Sequence, residues 1–399
     1  MRQSSALRAA VHITCVASSL LIGRCALASP VHYNISELPL MLGAYGSTAT
    51  AINDTATVTG YQTTASFSSD AYSASVGNIA DVNSLTTQFG SFPQNSYGYA
   101  INNSGTIVGS DDASGVTRAF VLSAGSQTIT EIGTLPGMQY SEALGINDSG
   151  VVVGDASGTS GNSFSMHAFV YSNGTMTDLN GAIAAAGAGA VESKATGINS
   201  NGDVTGYWQD SAGVQHAFIY NLNSASLITL PGLVTAGPSP NSVGNAVNAS
   251  GEVVGSADAV SGSFGATQHA FAYKNGVTTD LGALGSFSNF SAALAVNSGG
   301  VVVGTSSDNL GNLNAFVANG GMMYNLNDLV NNLGGWQLQG ATGINSNGDI
   351  VGYGTDPNST PAAFLLSPDP PPAVPEAPTS TAMCLLAATG LFTLKSRKR

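Results

Sequence analysis

Ser141-Glu-Ala-Leu-Gly-Ile-Asn147-Asp-Ser-Gly-Val-Val-Val-Gly154 is the stretch that decides the fold. Up to Asn147 it alternates small and larger side chains, the period of a strand. Asp148-Ser149-Gly150 is turn chemistry, and Val151 to Gly154 reads as a second strand. A polar loop through Gly161 leads to a third strand, Met166-His-Ala-Phe-Val-Tyr171. Ser172-Asn173-Gly174 is a hairpin turn of the Asn-Gly kind, and Thr175 to Leu179 supplies a fourth strand. Short strands with turn signals every eight to twelve residues or so make one antiparallel meander.

The same pattern occurs seven times, with its asparagine at Asn53, Asn102, Asn147, Asn199, Asn248, Asn297 and Asn345. The spacings are 49, 45, 52, 49, 49 and 48 residues, a period that indicates a modular array. Positions −6, −4 and −2 from each asparagine are small, as in Ser141/Ala143/Gly145 and Ser242/Gly244/Ala246; the seventh copy reads Gln339/Ala341/Gly343. Period two places these on one strand face, as needed where sheets crowd an axis. Each copy also has one aromatic in its third strand: Tyr72, Phe120, Phe169, Phe218, Phe271, Phe316 and Phe364. Buried between sheets, these rings are packing residues; exposed, they would be a platform for sugars.

Six copies have a fourth strand, such as Met176 to Leu179 or Val277 to Leu281, but the seventh stops at Phe364-Leu365-Leu366. Tyr33-Asn-Ile-Ser-Glu-Leu38-Pro39 is an unattached strand at the other end. Pairing the two would close a ring and remove both open edges. The expected fold is all-β: a seven-bladed β-propeller of four-stranded antiparallel blades, closed by an N-terminal strand.

The ends point to export. Arg2 and Arg8 precede an apolar stretch, Ala9 to Ile22, and Ala26-Leu-Ala28 is a small-x-small cleavage site. Residues 1–28 are therefore read as a signal peptide and 29–367 as the propeller. Residues 368–378 form a proline-rich linker and motif, and 379–399 an apolar transmembrane helix with a basic tail. From Ala377 to Leu394 a helix rises about 27 Å, enough to cross a bilayer. The three cysteines, Cys15, Cys25 and Cys384, all lie in these end segments, so the mature body has no disulfide or thiol chemistry. Of the ten basic residues only Arg118, Lys194 and Lys274 lie between Ser29 and Leu394, against all 23 acids: a formal charge of −20. Such a body repels nucleic acid and anionic lipid.

Two resemblances follow from these residues. Val374-Pro375-Glu376-Ala377-Pro378, the apolar run and the terminal Arg397-Lys398-Arg399 resemble the PEP-CTERM sorting signal of Gram-negative bacteria; Ala377, between Glu376 and Pro378, departs from its hallmark. The resemblance implies recognition by an exosortase, a transient inner-membrane anchor, and release to the cell surface or extracellular matrix. A plain C-terminal membrane anchor is the alternative. His167-Ala-Phe169, His216-Ala-Phe218 and His269-Ala-Phe271 resemble the HAF family of bacterial extracellular repeats, which implies a secreted propeller-like array and no transferable activity.

Chemistry is harder to find. The three histidines would sit blade to blade, too far apart for one zinc ion, and four copies replace them with Asp70, Arg118, Asn314 and Ala362. Asn199-Ser-Asn-Gly-Asp203 and Asn345-Ser-Asn-Gly-Asp349 faintly resemble calcium loops, but hairpin geometry already accounts for their residues. No nucleophile elbow, phosphate loop or dinucleotide fingerprint occurs. Asp111 and Asp112 read as loop acids, and nothing selects a glycosidase pair. No catalytic, cofactor or metal residue is assigned. The expected function is binding or scaffolding outside the cell, with polysaccharide as partner on the strength of the sorting signal. A propeller enzyme acting on extracellular glycans and a structural protein without a ligand are the alternatives.

Overall fold

Each Asn turn folds the first strand of a repeat back on the second, and each of the first six repeats closes into one four-stranded antiparallel sheet, while the seventh supplies three strands of such a sheet. In the computed structural model, residues 30–369 are described, except 76–77, 82–94, 113–114, 127, 161–162, 234–240, 263–264 and 286–288. Within residues 31–369 the chain forms one unit of seven such sheets, the blades of a propeller. Blade three is representative, with strands Tyr140–Ile146, Val152–Ser160, Ser163–Ser172 and Thr175–Asp178. The first strand of every blade neighbours the first strands of the blades on either side, so the seven surround an axis.

The closure expected from the sequence is present. Tyr33–Glu37 is the outer strand of blade seven, pairing antiparallel with Pro361–Pro368 in the register Tyr33↔Pro368 to Glu37↔Phe364. The first and last strands of the propeller therefore share a sheet, and Tyr33–Glu37 covers the side of Pro361–Pro368 that would otherwise be an open edge.

One expectation needs correction. All seven inner strands carry a β-bulge between −4 and −2, as at Ala143/Gly145 and Ala293/Ala295. In blade three Ala143 pairs with Gly154 but Gly145 pairs with Val153, so the −2 residue leaves the face shared by −6 and −4. It is small for a different reason. A Cβ on Gly145 would lie 3.2 Å from the Cα of Gly197, the −2 residue of the next blade, and one on Gly343 would lie 3.2 Å from Ala51 Cα. These positions are where neighbouring inner strands touch at the axis.

The repeated residues make three bonding rings. Each motif Asn donates from Nδ2 to the backbone carbonyl of the motif Asn in the next blade, at 2.9 to 3.2 Å, and the seventh bond returns to Asn53. Its Oδ1 accepts the backbone N–H four residues on, bracing its own turn. Farther from the turns, the −6 serine accepts from the backbone N–H of the residue before the aromatic in the preceding blade, for example Ala168 N to Ser193 Oγ at 3.0 Å. Six interfaces have this bond; the inner strand of blade seven has Gln339 at the position instead. The third ring is the aromatics, all seven essentially fully buried. Burial of each contributes roughly 1.5–3 kcal/mol and removes the sugar-platform reading of these rings. The core is accordingly seven slabs, one at each blade interface, with no single centre.

Candidate ligand-binding face

The meander gives the propeller two unlike faces. Asn turns and the hairpins after the third strands project on one side, the turn face. Links between second and third strands, and between blades, project on the other, the loop face.

The turn face is regular. A recess of about 320 Å³ on the axis is lined by the seven ring asparagines and their neighbours. In the two turns with faint calcium-loop character, Asn199 Oδ1 accepts from Asn201 N and Asp203 N, both at 2.9 Å, and Asn345 Oδ1 does the same with Asn347 N and Asp349 N. Asp203 and Asp349 each accept from the Nδ2 of their own turn asparagine, at 2.8 and 2.9 Å. These oxygens serve the turn. Asp54 joins three blades on this face: it accepts from Ser346 N and Oγ and from Asn103 Nδ2, and the Ser346 hydroxyl foremost holds its carboxyl below the ordinary value of 3.8.

The histidines are each tied to an aspartate of their own blade: His167 Nδ1 to Asp178 at 2.8 Å, His216 Nε2 to Asp210 at 3.2 Å, and His269 Nδ1 to Asp280 at 3.0 Å. His216 also stacks on Trp208, with ring centres 4.1 Å apart. Asp111 is not a loop residue as expected. It ends the second strand of blade two and is buried, while Asp112 beyond it accepts from the side chain and backbone N–H of Asn95. Ala26, Ala28, Val374, Pro375, Glu376, Pro378 and the basic tail lie outside the described residues. No helix among the described residues is long and apolar enough to cross a membrane, and the segment 379–394 is not among them.

The loop face is irregular. Among the described residues five aromatic side chains are exposed: Tyr45, Phe67, Tyr140, Phe164 and Phe290. All five lie at strand ends or links on this face, in blades one, three and six. Phe67, at 86% exposure, has φ of 61° in the turn between the second and third strands of blade one. An aromatic residue is seldom found in that left-handed region.

Toward the axis, a second set of irregular side chains occupies the −5 position and its cross-strand partner: Thr48/Tyr61, Tyr97/Ser110, Glu142/Asp155, Lys194/Tyr207 and Gly340/Tyr353. They form a continuous arc over five blades. Tyr61 and Tyr97 meet edge to face at 5.1 Å, and Tyr97 lies parallel to Tyr99 at 6.0 Å. Lys194 Nζ is 2.9 Å from Asp155 Oδ1 and 3.6 Å from Glu142 Oε2. Burial pulls the Lys194 ammonium down, but Asp155 and Glu142 together more than offset this, and it stands above the ordinary lysine value. Burial, then the Glu142 charge, raises the Tyr99 phenol well above its usual range. Tyr353 leans over Gly340, where a Cβ would meet its ring at 2.6 Å.

A sequence-family model with the description "protein of unknown function" matches residues 128–361. The chain belongs to the DUF3466 family. The DUF3466 match runs from the fourth strand of blade two to the start of the third strand of blade seven. No curated protein matches the chain in sequence. Among solved structures it is similar to a prolyl endopeptidase, at 10% identity and a TM-score of 0.53, over 86% of this chain and 51% of that one. It is also similar to oligogalacturonate lyase from Vibrio parahaemolyticus, at 9% identity and a TM-score of 0.50, over 87% of this chain and 98% of that one. A puromycin-hydrolysing peptidase from Mycobacterium tuberculosis matches at 9% identity and a TM-score of 0.48, over 84% of this chain. The chain spans about half the length of the two peptidases, at 51% and 53%. At these identities the likeness concerns the propeller fold alone.

The five exposed aromatics and the axial arc were not legible as a site in the sequence. Their one signal is negative: they occupy positions where the seven copies disagree.

Proposed function

We propose that this DUF3466 protein is an exported, non-catalytic binding protein that takes polysaccharide on its loop face. The observation that carries this reading is the confinement of all five exposed aromatics among the described residues to that face. Aromatic rings offer flat apolar area that stacks on sugar rings at little entropic cost. Phe67 adds weight, since a strained and solvated aromatic has no packing reason to be there. Export and surface display rest on the residues read in the sequence, from Ala26 and Ala28 to the sorting motif Val374-Pro375-Glu376 and the tail Arg397-Lys398-Arg399. An exosortase-type enzyme is the partner in that step, and the membrane is met only through the C-terminal helix before processing.

The full chain, purified in detergent, tests this on a glycan array with product analysis of any bound sugar. Binding without cleavage is expected, lost in Phe67→Ala and Tyr140→Ala while the melting temperature stays unchanged. Failure to bind any glycan would overturn the reading.

The rival, an enzyme acting on extracellular glycans, has Glu142 and Asp155 in its favour, cross-strand neighbours near the axis. Both address Lys194, which stands where a glycosidase would admit substrate and water. Cleaved sugar in the product analysis would favour the rival.

A further inference from the structure

We propose that the axial arc of side chains on the loop face is a subsite for a positively charged sugar, an amino-sugar unit with a free ammonium, with Glu142 as its counter-ion. This rests on the reading above, that the loop face binds glycan, and adds the charge class of that glycan.

Glu142 carries the argument. It is half-buried, and its sole ion-pair contact among the described residues, Lys194 Nζ, is 3.6 Å away, beyond hydrogen-bond range. Its carboxylate accepts no hydrogen bond from a described residue. The ammonium of Lys194 is committed to Asp155 at 2.9 Å instead, and Asp155 is buried beneath it. Lys194 and Asp155 cancel, so the surplus negative charge of this cluster resides on Glu142. A half-buried carboxylate short of donors is a site for a ligand that brings N–H groups and positive charge.

The surroundings select the same charge. Tyr97 lies against both Tyr61 and Tyr99, on the inner strand that neighbours the one carrying Glu142, and Tyr99 is close enough to feel the Glu142 charge; aromatic faces attract cations. The body has formal charge −20 between Ser29 and Leu394, which draws cations in and turns polyanions away. Its three basic side chains are all engaged: Lys194 with Asp155, Lys274 with Glu252 at 2.9 Å, and Arg118 with the carbonyls of Thr117 and Gln139. A uronate or sulfated glycan would find no uncommitted cation among the described residues. The exposed aromatics around the rim favour a glycan over a basic peptide, because they suit stacking on successive sugar rings.

Calorimetry on the full chain decides the point, using a fully deacetylated chito-oligosaccharide, its N-acetylated counterpart, an oligogalacturonate of the same length and a lysine oligomer. The deacetylated sugar is expected to bind about tenfold tighter than the acetylated one at low salt, and the preference should shrink as salt is added. Glu142→Gln should abolish the preference while leaving the melting temperature in place. Should Glu142→Gln fail to fold, Tyr97→Phe and Tyr97→Ala provide the second comparison: the first should keep the preference and the second lose it. Equal binding of both chito-oligosaccharides, a preference that survives Glu142→Gln or Tyr97→Ala, or tighter binding of oligogalacturonate would each overturn the charge assignment and leave glycan binding standing. Equal binding of the lysine oligomer would overturn the assignment of the subsite to an amino sugar. If no sugar binds, the glycan-face reading falls with it.

Discussion

The side-chain amide of Asn345 donates to the backbone carbonyl of Asn53 at 3.1 Å, joining residues 292 apart in the chain. This bond repeats, between blades seven and one, the bond found at the six other interfaces. It turns a linear array of repeats into a ring, so each motif Asn holds its own turn with Oδ1 and its neighbour's with Nδ2. A buried amide with both ends engaged is costly to remove.

Asn147→Ala should therefore lower stability by about 2–4 kcal/mol, because it strips acceptors from Ser149 N and Val151 N and a donor from the Asn199 carbonyl. Asn147→Asp, which keeps the acceptor and loses the donor, should fall between the two. Urea unfolding followed by intrinsic fluorescence measures the difference. Equal stability of wild type and Asn147→Ala would mean that the ring is incidental.

Removal of Val31 to Leu38 should destabilise the whole propeller. The deletion uncovers the third strand of blade seven along Phe364 to Pro368, and with it the slab containing Phe364 and Leu366. The expected result is a large drop in melting temperature, with restoration by a synthetic peptide of the deleted strand. A truncated chain that melts with the intact one would contradict closure by this strand.

Gly154→Ala should be as damaging as loss of a core aromatic, although it adds only a methyl group. Its Cβ would lie 1.9 Å from the Glu142 carbonyl oxygen and 3.0 Å from Phe169, and the equivalent glycine of every blade meets an inner-strand carbonyl at 1.8 to 2.1 Å. Relief requires the inner strand to move, so the expected cost is at least the ~3–5 kcal/mol of Phe169→Ala. Thermal unfolding of the two variants side by side tests this.

Alkaline pH should loosen the closure through Tyr33. Burial pushes its phenol up from 10.0 to about 12. The unfolded chain thus ionises first, and the stability due to a neutral, buried Tyr33 is full below pH 10 and drains away as pH rises through 12. Tyr33→Phe should flatten the fall in stability over that interval. An identical pH profile for both proteins would show that Tyr33 ionisation plays no part.

The propeller was legible in the sequence because its seven-fold construction is written in single residues with local reasons. Asn147 must be Asn to brace its turn, Gly154 must be Gly beneath Phe169, and Ser193 must reach a neighbouring backbone N–H. The bulge at Ala143/Gly145 was not legible, since small residues at −4 and −2 fit a flat strand as well as a kinked one. Asp111 was misplaced by one element because its strand runs farther than the apolar pattern shows.

Sequence by itself determined the number of blades, the buried aromatic of each, the strand that closes the ring and the strongly negative body, because each depends on residue type and spacing. Tertiary structure alone decided which side chains meet. Nothing in the order of the chain says that Lys194 meets Asp155, that Tyr97 lies against both Tyr61 and Tyr99, or that Tyr45, Phe67, Tyr140, Phe164 and Phe290 share one face. Those neighbourhoods arise when the blades are wrapped around an axis, which brings positions some fifty residues apart into contact wherever the repeats differ.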